Sequence, residues 1–248
     1  MVQAVAGEQA LKGRRVIKSR GTGEEHWRAD YLGKPGDGQL KMEPQAFLVE
    51  MHANETILPH FHEVDQFQVF VAGSGGLGRK AHGVLTVHYA DHHTGYGPIN
   101  AGPMGYSYFT LRAKSDPGAH YLDRPGYREA LKPSAKRHGV ADNLTLSTEP
   151  VLMDRKQLAV EKLMPELEGG GLGASLIRMG PGMSHTGPDP RATGGQYYLV
   201  LNGSLELDSK SYTKWSTVFL TGEDSPLAFK SGPKGLETLL LQFSRQES

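Results

Sequence analysis

Cysteine does not occur in this chain of 248 residues. Its absence excludes a disulfide framework, a thiolate metal site and a cysteine nucleophile together. An excess of charge is also lacking, since 27 Lys and Arg balance 27 Asp and Glu. Without a net field, recruitment to nucleic acid or to an anionic membrane is not expected. Long apolar runs are missing too. The opening MVQAVAGEQALKGRR holds no apolar stretch of signal-peptide length, and no later run is long enough to span a bilayer. A soluble, cytoplasmic protein is the expectation. Helical periodicity is scarce, with residues 155–167 the one helix-like stretch. What the chain has in quantity is 32 glycines and 15 prolines, which between short apolar runs read as turns joining strands.

Residues 1–45 are polar and Gly-rich, with Trp27, Tyr31 and Leu32 as scattered apolar positions, and are expected to form an arm laid over a barrel. Strand-like runs follow at 46–51, 67–71, 84–90 and 106–112. A polar, proline-punctuated stretch at 115–150 suits a linker. Strands resume at 174–179, 197–201, 204–207, 217–220 and 238–243.

An internal repeat organises these runs. Gln66-Phe-Gln-Val-Phe-Val-Ala-Gly73-Ser74 matches Gln196-Tyr-Tyr-Leu-Val-Leu-Asn-Gly203-Ser204. Ala101-Gly-Pro-Met-Gly105 before one strand matches Ser231-Gly-Pro-Lys-Gly235 before another. Gln66 to Gln196 and Gly102 to Gly232 are each 130 positions apart. Two matches at one offset predict two similar β units, divided into residues 1–125 and 126–248.

Before the first repeat stands Asn54-Glu-Thr-Ile-Leu-Pro-His60-Phe-His62-Glu-Val-Asp-Gln66, with six residues from there to Gly73. Residues two apart in a strand share a face, so His60 and His62 project together and Gln66 has their parity. Glu63 and Asp65 have the opposite parity and should point away. Two imidazoles converging inside a β unit begin a site for a divalent transition metal: iron, manganese, nickel, copper or zinc. The pattern resembles the first motif of the cupin superfamily, G-x5-H-x-H-x3-E-x6-G, with Asn54 for the glycine and Gln66 for the glutamate. Gln66 offers a neutral amide oxygen, a weaker ligand than a carboxylate.

The resemblance implies an all-β protein of two tandem double-stranded β-helix (jelly-roll) barrels with the polar N-terminal arm. It also implies a third histidine in a second motif, P-x-G-x2-H, whose place falls near Tyr96 or Gly97. His92 and His93 lie a few residues earlier. His93, nearer the Thr-Gly-Tyr-Gly turn, is the preferred ligand and a candidate catalytic group, and Tyr96 is a candidate phenol donor to substrate. The second half keeps only His185 where a pair is expected, so any metal belongs to the first. Gly73-Ser-Gly-Gly-Leu-Gly and Glu168-Gly-Gly-Gly-Leu-Gly lack the strand, helix and Lys-Ser/Thr of a phosphate loop. A G-x-S-x-G elbow is absent.

Cupins host many chemistries on one fold. The leading expectation is a metal-dependent enzyme of dioxygenase type acting on a small organic molecule, with His60, His62, Gln66 and His93 around the metal. The alternatives are a non-catalytic small-ligand-binding cupin, or a metal-assisted isomerase or lyase with a tyrosine or histidine as proton shuttle. A homodimer is expected on general grounds, through barrel edges and the arm.

Overall fold

A computed structural model describes residues 2–19, 21–33 and 42–245. The chain divides into two units, Gly13–Leu144 and Met1–Lys12 with Thr145–Ser248. It begins in the second of them, with β1 (Gln3–Val5) and α1 (Gly7–Lys12). The first unit then contributes β2 (Arg15–Lys18), β3 (Glu25–Leu32), β4 (Gln45–Met51), β5 (Thr56–Ile57), β6 (His60–Phe61) and β7 (Gln66–Leu77). It continues through β8 (Lys80–His82), β9 (Thr86–Ala90), β10 (Ile99–Arg112), β11 (His120–Tyr121) and β12 (His138–Ala141). The second unit resumes with α2 (Glu149–Met153), β13 (Ala159–Lys162), β14 (Gly173–Met179) and β15 (Ser184–Thr186). It closes with β16 (Gln196–Leu207), β17 (Lys210–Thr213), β18 (Thr217–Leu220) and β19 (Ala228–Gln242). No helix among the described residues is long and apolar enough to cross a membrane.

The repeat seen in sequence is a repeat of topology. The main antiparallel path is β12-β9-β7-β10-β4-β3-β2 in the first unit and β1-β18-β16-β19-β14-β13 in the second. The repeated segments are β7 with β16 and β10 with β19, which form the central pair of each path. Each pair also breaks register at the same place, between Ala101/Tyr106 and Ser107/Tyr108 in one unit and Val200/Asn202 and Gly203/Leu205 in the other. Glycine is required there. Gly73 and Gly203 have φ of +82° and +68°, and a Cβ would lie 2.2 Å from the Gly105 carbonyl oxygen or 2.0 Å from that of Gly235. Gly73→Ala and Gly203→Ala are each expected to lower stability by about 1–3 kcal/mol from the left-handed backbone alone, with the clash added. Urea unfolding measures this; a change under about 0.5 kcal/mol in both would contradict the shared bulge.

Three expectations change. The described residues of the segment 1–45 form no arm, because β1 pairs with β18 and β2 and β3 extend the first unit's sheet. β1 takes the edge beside β18 that β12 takes beside β9, which draws the chain's start into the second unit. The boundary accordingly falls after Leu144 rather than at 125, since β12 pairs with β9. Residues 155–167 are not a helix: β13 adds to β14, and only a 3₁₀ turn follows at Pro165–Leu167. Edge pairing outweighs a marginal helical pattern there.

Apolar side chains pack the interior of the second unit. Ile177, Tyr198, Val200, Leu220, Leu227 and Phe229 form one buried cluster. At about 1.5–3 kcal/mol for each fully buried large side chain, such a filling serves stability. Tyr198 closes against Gly187, where a Cβ would lie 1.8 Å from its hydroxyl.

Candidate functional site

The first unit has a cavity of about 310 Å³ instead. Strand alternation builds it: Arg15 and Ile17 from β2, His26 and Arg28 from β3, Phe47 and Val49 from β4, and Tyr108, Thr110 and Arg112 from β10 share its wall. His60 and His62 meet it from β6 and the residues just after, as their parity requires. Glu63 and Asp65 turn away, to His120 Nε2 at 3.0 Å and to His92 Nδ1 at 2.6 Å.

His60 and Tyr96 are locked opposite each other by two backbone hydrogen bonds of 3.0 Å. The His60 ring donates from Nδ1 to the Leu58 carbonyl at 2.7 Å, so its Nε2 is an acceptor. The Tyr96 hydroxyl lies 2.9 Å from that Nε2 and donates to it. Gln66 Nε2 donates in turn to the Tyr96 oxygen, and Gln66 Oε1 accepts from Arg112 Nε at 3.0 Å and Nη2 at 2.8 Å. The relay therefore runs in one direction, from Arg112 through Gln66, Tyr96 and His60 to a backbone carbonyl. Burial pushes the His60 imidazole down to about 3, with His62 adding to the effect. Burial likewise raises the Tyr96 phenol.

The His62 ring is engaged from two sides. Nδ1 donates to Asp116 Oδ1 at 2.7 Å, and Arg112 Nη2 stands 3.1 and 3.2 Å from the two ring nitrogens. Arg112 is 4% exposed, donates from Nη1 to Gln45 Oε1 at 2.6 Å and lies 3.5 Å from Asp116. Burial works to raise the Asp116 carboxyl, but His62 and Arg112 hold it well below the usual range. Burial lowers the His62 imidazole despite Asp116. A neutral imidazole thus sits between an ionised carboxylate and a guanidinium.

Of the residues expected at a metal, His60, His62 and Gln66 come together with Tyr96, and His93 does not. The His93 backbone takes φ of +55° and its ring packs 5.4 Å from Phe61, on the opposite face of β6 from His60 and His62. The position nearest the expected third histidine is filled by Tyr96. Among the described residues no group of three or more His, Asp or Glu can hold a metal ion. The donors do not fit a divalent metal: the His60 lone pair accepts from Tyr96, Gln66 offers only an amide, and Arg112 already supplies a positive charge. A dication about 4 Å from that guanidinium would meet a repulsion on the order of 8 kcal/mol at an effective dielectric of about 20.

Arg112, Asp116, Gln45 and Arg28 escaped the sequence reading. Arg112 had a signal, since it shares the inward parity of Tyr108 in a central strand. Asp116 had none, lying in a stretch that reads as linker.

No protein-family model matches the sequence, and no curated protein matches it either. Solved structures do. A candidate dioxygenase from Nostoc punctiforme aligns with a TM-score of 0.66 at 12% identity, over 98% of this chain and 83% of that one. Salicylate 1,2-dioxygenase from Pseudaminobacter salicylatoxidans aligns at 0.58 and 11% identity, over 98% and 84%. The bacterial pirin YhhW of Escherichia coli, solved in complex with nickel(II), aligns at 0.54 and 10%, over 99% and 100%. At such identities the likeness is one of fold: two cupin jelly rolls in one chain.

Proposed function

We propose that this chain is a cupin-fold protein that takes a small organic molecule into the cavity of its first unit without a transition metal. The supporting observation is Arg112, a buried guanidinium bonded to Gln66 and in contact with His62. It stands as the fixed cation of a site that in the resembling motif would gather around a metal. The polar relay can orient a ligand, and the Tyr96 hydroxyl is positioned to exchange a proton with His60 alone.

Elemental analysis of protein purified without chelator is expected to find less than about a tenth of an equivalent of transition metal. The His60→Ala/His62→Ala variant should not change that value. Chelator dialysis should leave the melting temperature unmoved, because nothing that binds the folded state is removed. A stoichiometric metal lost in the double variant would overturn the proposal.

The second reading is the metal-dependent dioxygenase, favoured by the dioxygenases among the similar structures. It requires Arg112 and Tyr96 to give up the imidazoles they now engage. Under the metal-free proposal no oxygen is consumed with diketones, catechols or flavonols.

A further inference from the structure

The register of β2 and β3 sets Arg15 directly opposite Arg28. Like charges in that position repel. Asp30, two residues along β3, relieves them: it accepts from Arg28 Nε at 2.7 Å and from Arg15 Nη1. One carboxylate is therefore shared by two guanidinium groups, and a positive charge is left over among the described residues.

The Arg28 guanidinium lies 3.7 Å from the Phe47 ring centre, and its Nη2 is buried without a hydrogen-bond partner. Leaving a buried charged donor unsatisfied is expensive, and native proteins rarely do so without a reason. Arg28 and Phe47 both line the cavity, and the Arg112 guanidinium lies 5.6 Å from the same ring. The nearby carboxylates are already engaged. Asp116 receives His62 and the backbone N–H groups of Glu63 and Gly118, while Glu55 receives His26 and the N–H of His52. Val49, Ile57, Tyr108 and Tyr121 give the wall an apolar and aromatic stretch, beside the polar Lys18, Ser19, Gln68 and Thr110.

We infer that the ligand is a small organic monoanion, a carboxylate on an apolar or aromatic body, whose charged end is received by Arg28. The inference rests on the metal-free binding reading and adds the chemical class of the ligand. Arg28 is the anchor because it lines a cavity with surplus positive charge and its buried Nη2 has no hydrogen-bond partner. The apolar wall selects an organic body over a bare inorganic ion.

The test is calorimetric titration of the purified protein with three matched pairs: benzoate and benzamide, cinnamate and cinnamamide, hexanoate and hexanamide. Each pair keeps its shape and differs in charge. At least one acid is expected to bind about tenfold or more tighter than its amide, a preference a charge-assisted contact supplies. Arg28→Gln should reduce that preference below about twofold while the protein keeps its circular dichroism spectrum. Asp30 then serves Arg15 alone, so the variant relieves repulsion and is expected to fold. Acids not preferred over amides in any pair would overturn the anion inference, and amide binding in that case would leave the metal-free reading standing. Preference that survives Arg28→Gln would overturn Arg28 as the receiver. Inorganic phosphate displacing the acid at equal concentration would overturn the organic body. Elemental analysis of the same samples decides the underlying reading separately.

Discussion

Replacing Arg112 with methionine is expected to lower the free energy of unfolding by about 3–5 kcal/mol, the range for removing one partner from a buried ion pair. The loss comes mostly from what is left behind. Asp116 keeps its charge in the interior, and Gln66 Oε1 and Gln45 Oε1 lose their donors. Adding Asp116→Asn to Arg112→Met removes the stranded charge and should recover a substantial part of the loss. Urea unfolding of the wild type, both single variants and the double gives the coupling directly. An Arg112→Met protein within about 1 kcal/mol of wild type would mean that the guanidinium does not hold the site together. The same cycle bears on function, because a cation that stabilises the fold is not readily exchanged for a metal.

Acidification from pH 6.5 is expected to destabilise the protein steeply. His60, His62 and His88 are all held below the usual imidazole range, in each case chiefly by burial. His88 is fully buried, donates from Nδ1 to Gln68 Oε1 at 2.8 Å and has no partner at Nε2. Protonating it would place an uncompensated charge near His138, His60 and His82. A histidine depressed in the folded state lets the unfolded chain bind more protons, so stability rises with pH in that window. Its contribution is fully present above about 6.5, the unfolded value. It is lost as pH falls towards the folded value, about 3 for His60. Each such histidine contributes at most about 1.4 kcal/mol per pH unit, so three give a slope of up to about 4 kcal/mol per unit. The pH dependence of the urea midpoint measures this, and His88→Gln should flatten it by roughly a third. A midpoint constant between pH 7 and 5 would contradict the neutral, buried state of these rings.

Local patterns carried the architecture well. The repeat from Gln66 and Gln196 is a pair of central strands, and Gly73 and Gly203 mark one bulge made twice. The parity of His60 and His62 placed both at the cavity. Strand β3 was missed for a physical reason: its cavity face carries His26, Arg28 and Asp30, so Ala29 and Tyr31, buried on the other face, did not read as one half of an apolar alternation. A strand that lines a polar site looks like a loop in composition. Residues 155–167 failed in the opposite sense, since their helical pattern was overridden by pairing with β14.

By itself the sequence determined that the chain is a duplicated β design, that its histidine pair lies in the first half and that the second half is empty of such a pair. Alternation and a constant offset are local properties, and they survive folding unchanged. Only the tertiary structure decided what surrounds the pair. Arg112 and Asp116 reach His62 from 50 and 54 positions away, and Tyr96 reaches His60 from 36. Spacing along a chain cannot show which side chains from distant strands will share a cavity, nor which will take the lone pairs that a metal needs. That competition removed His93 from the site, seated Tyr96 on His60 and put a guanidinium beside His62.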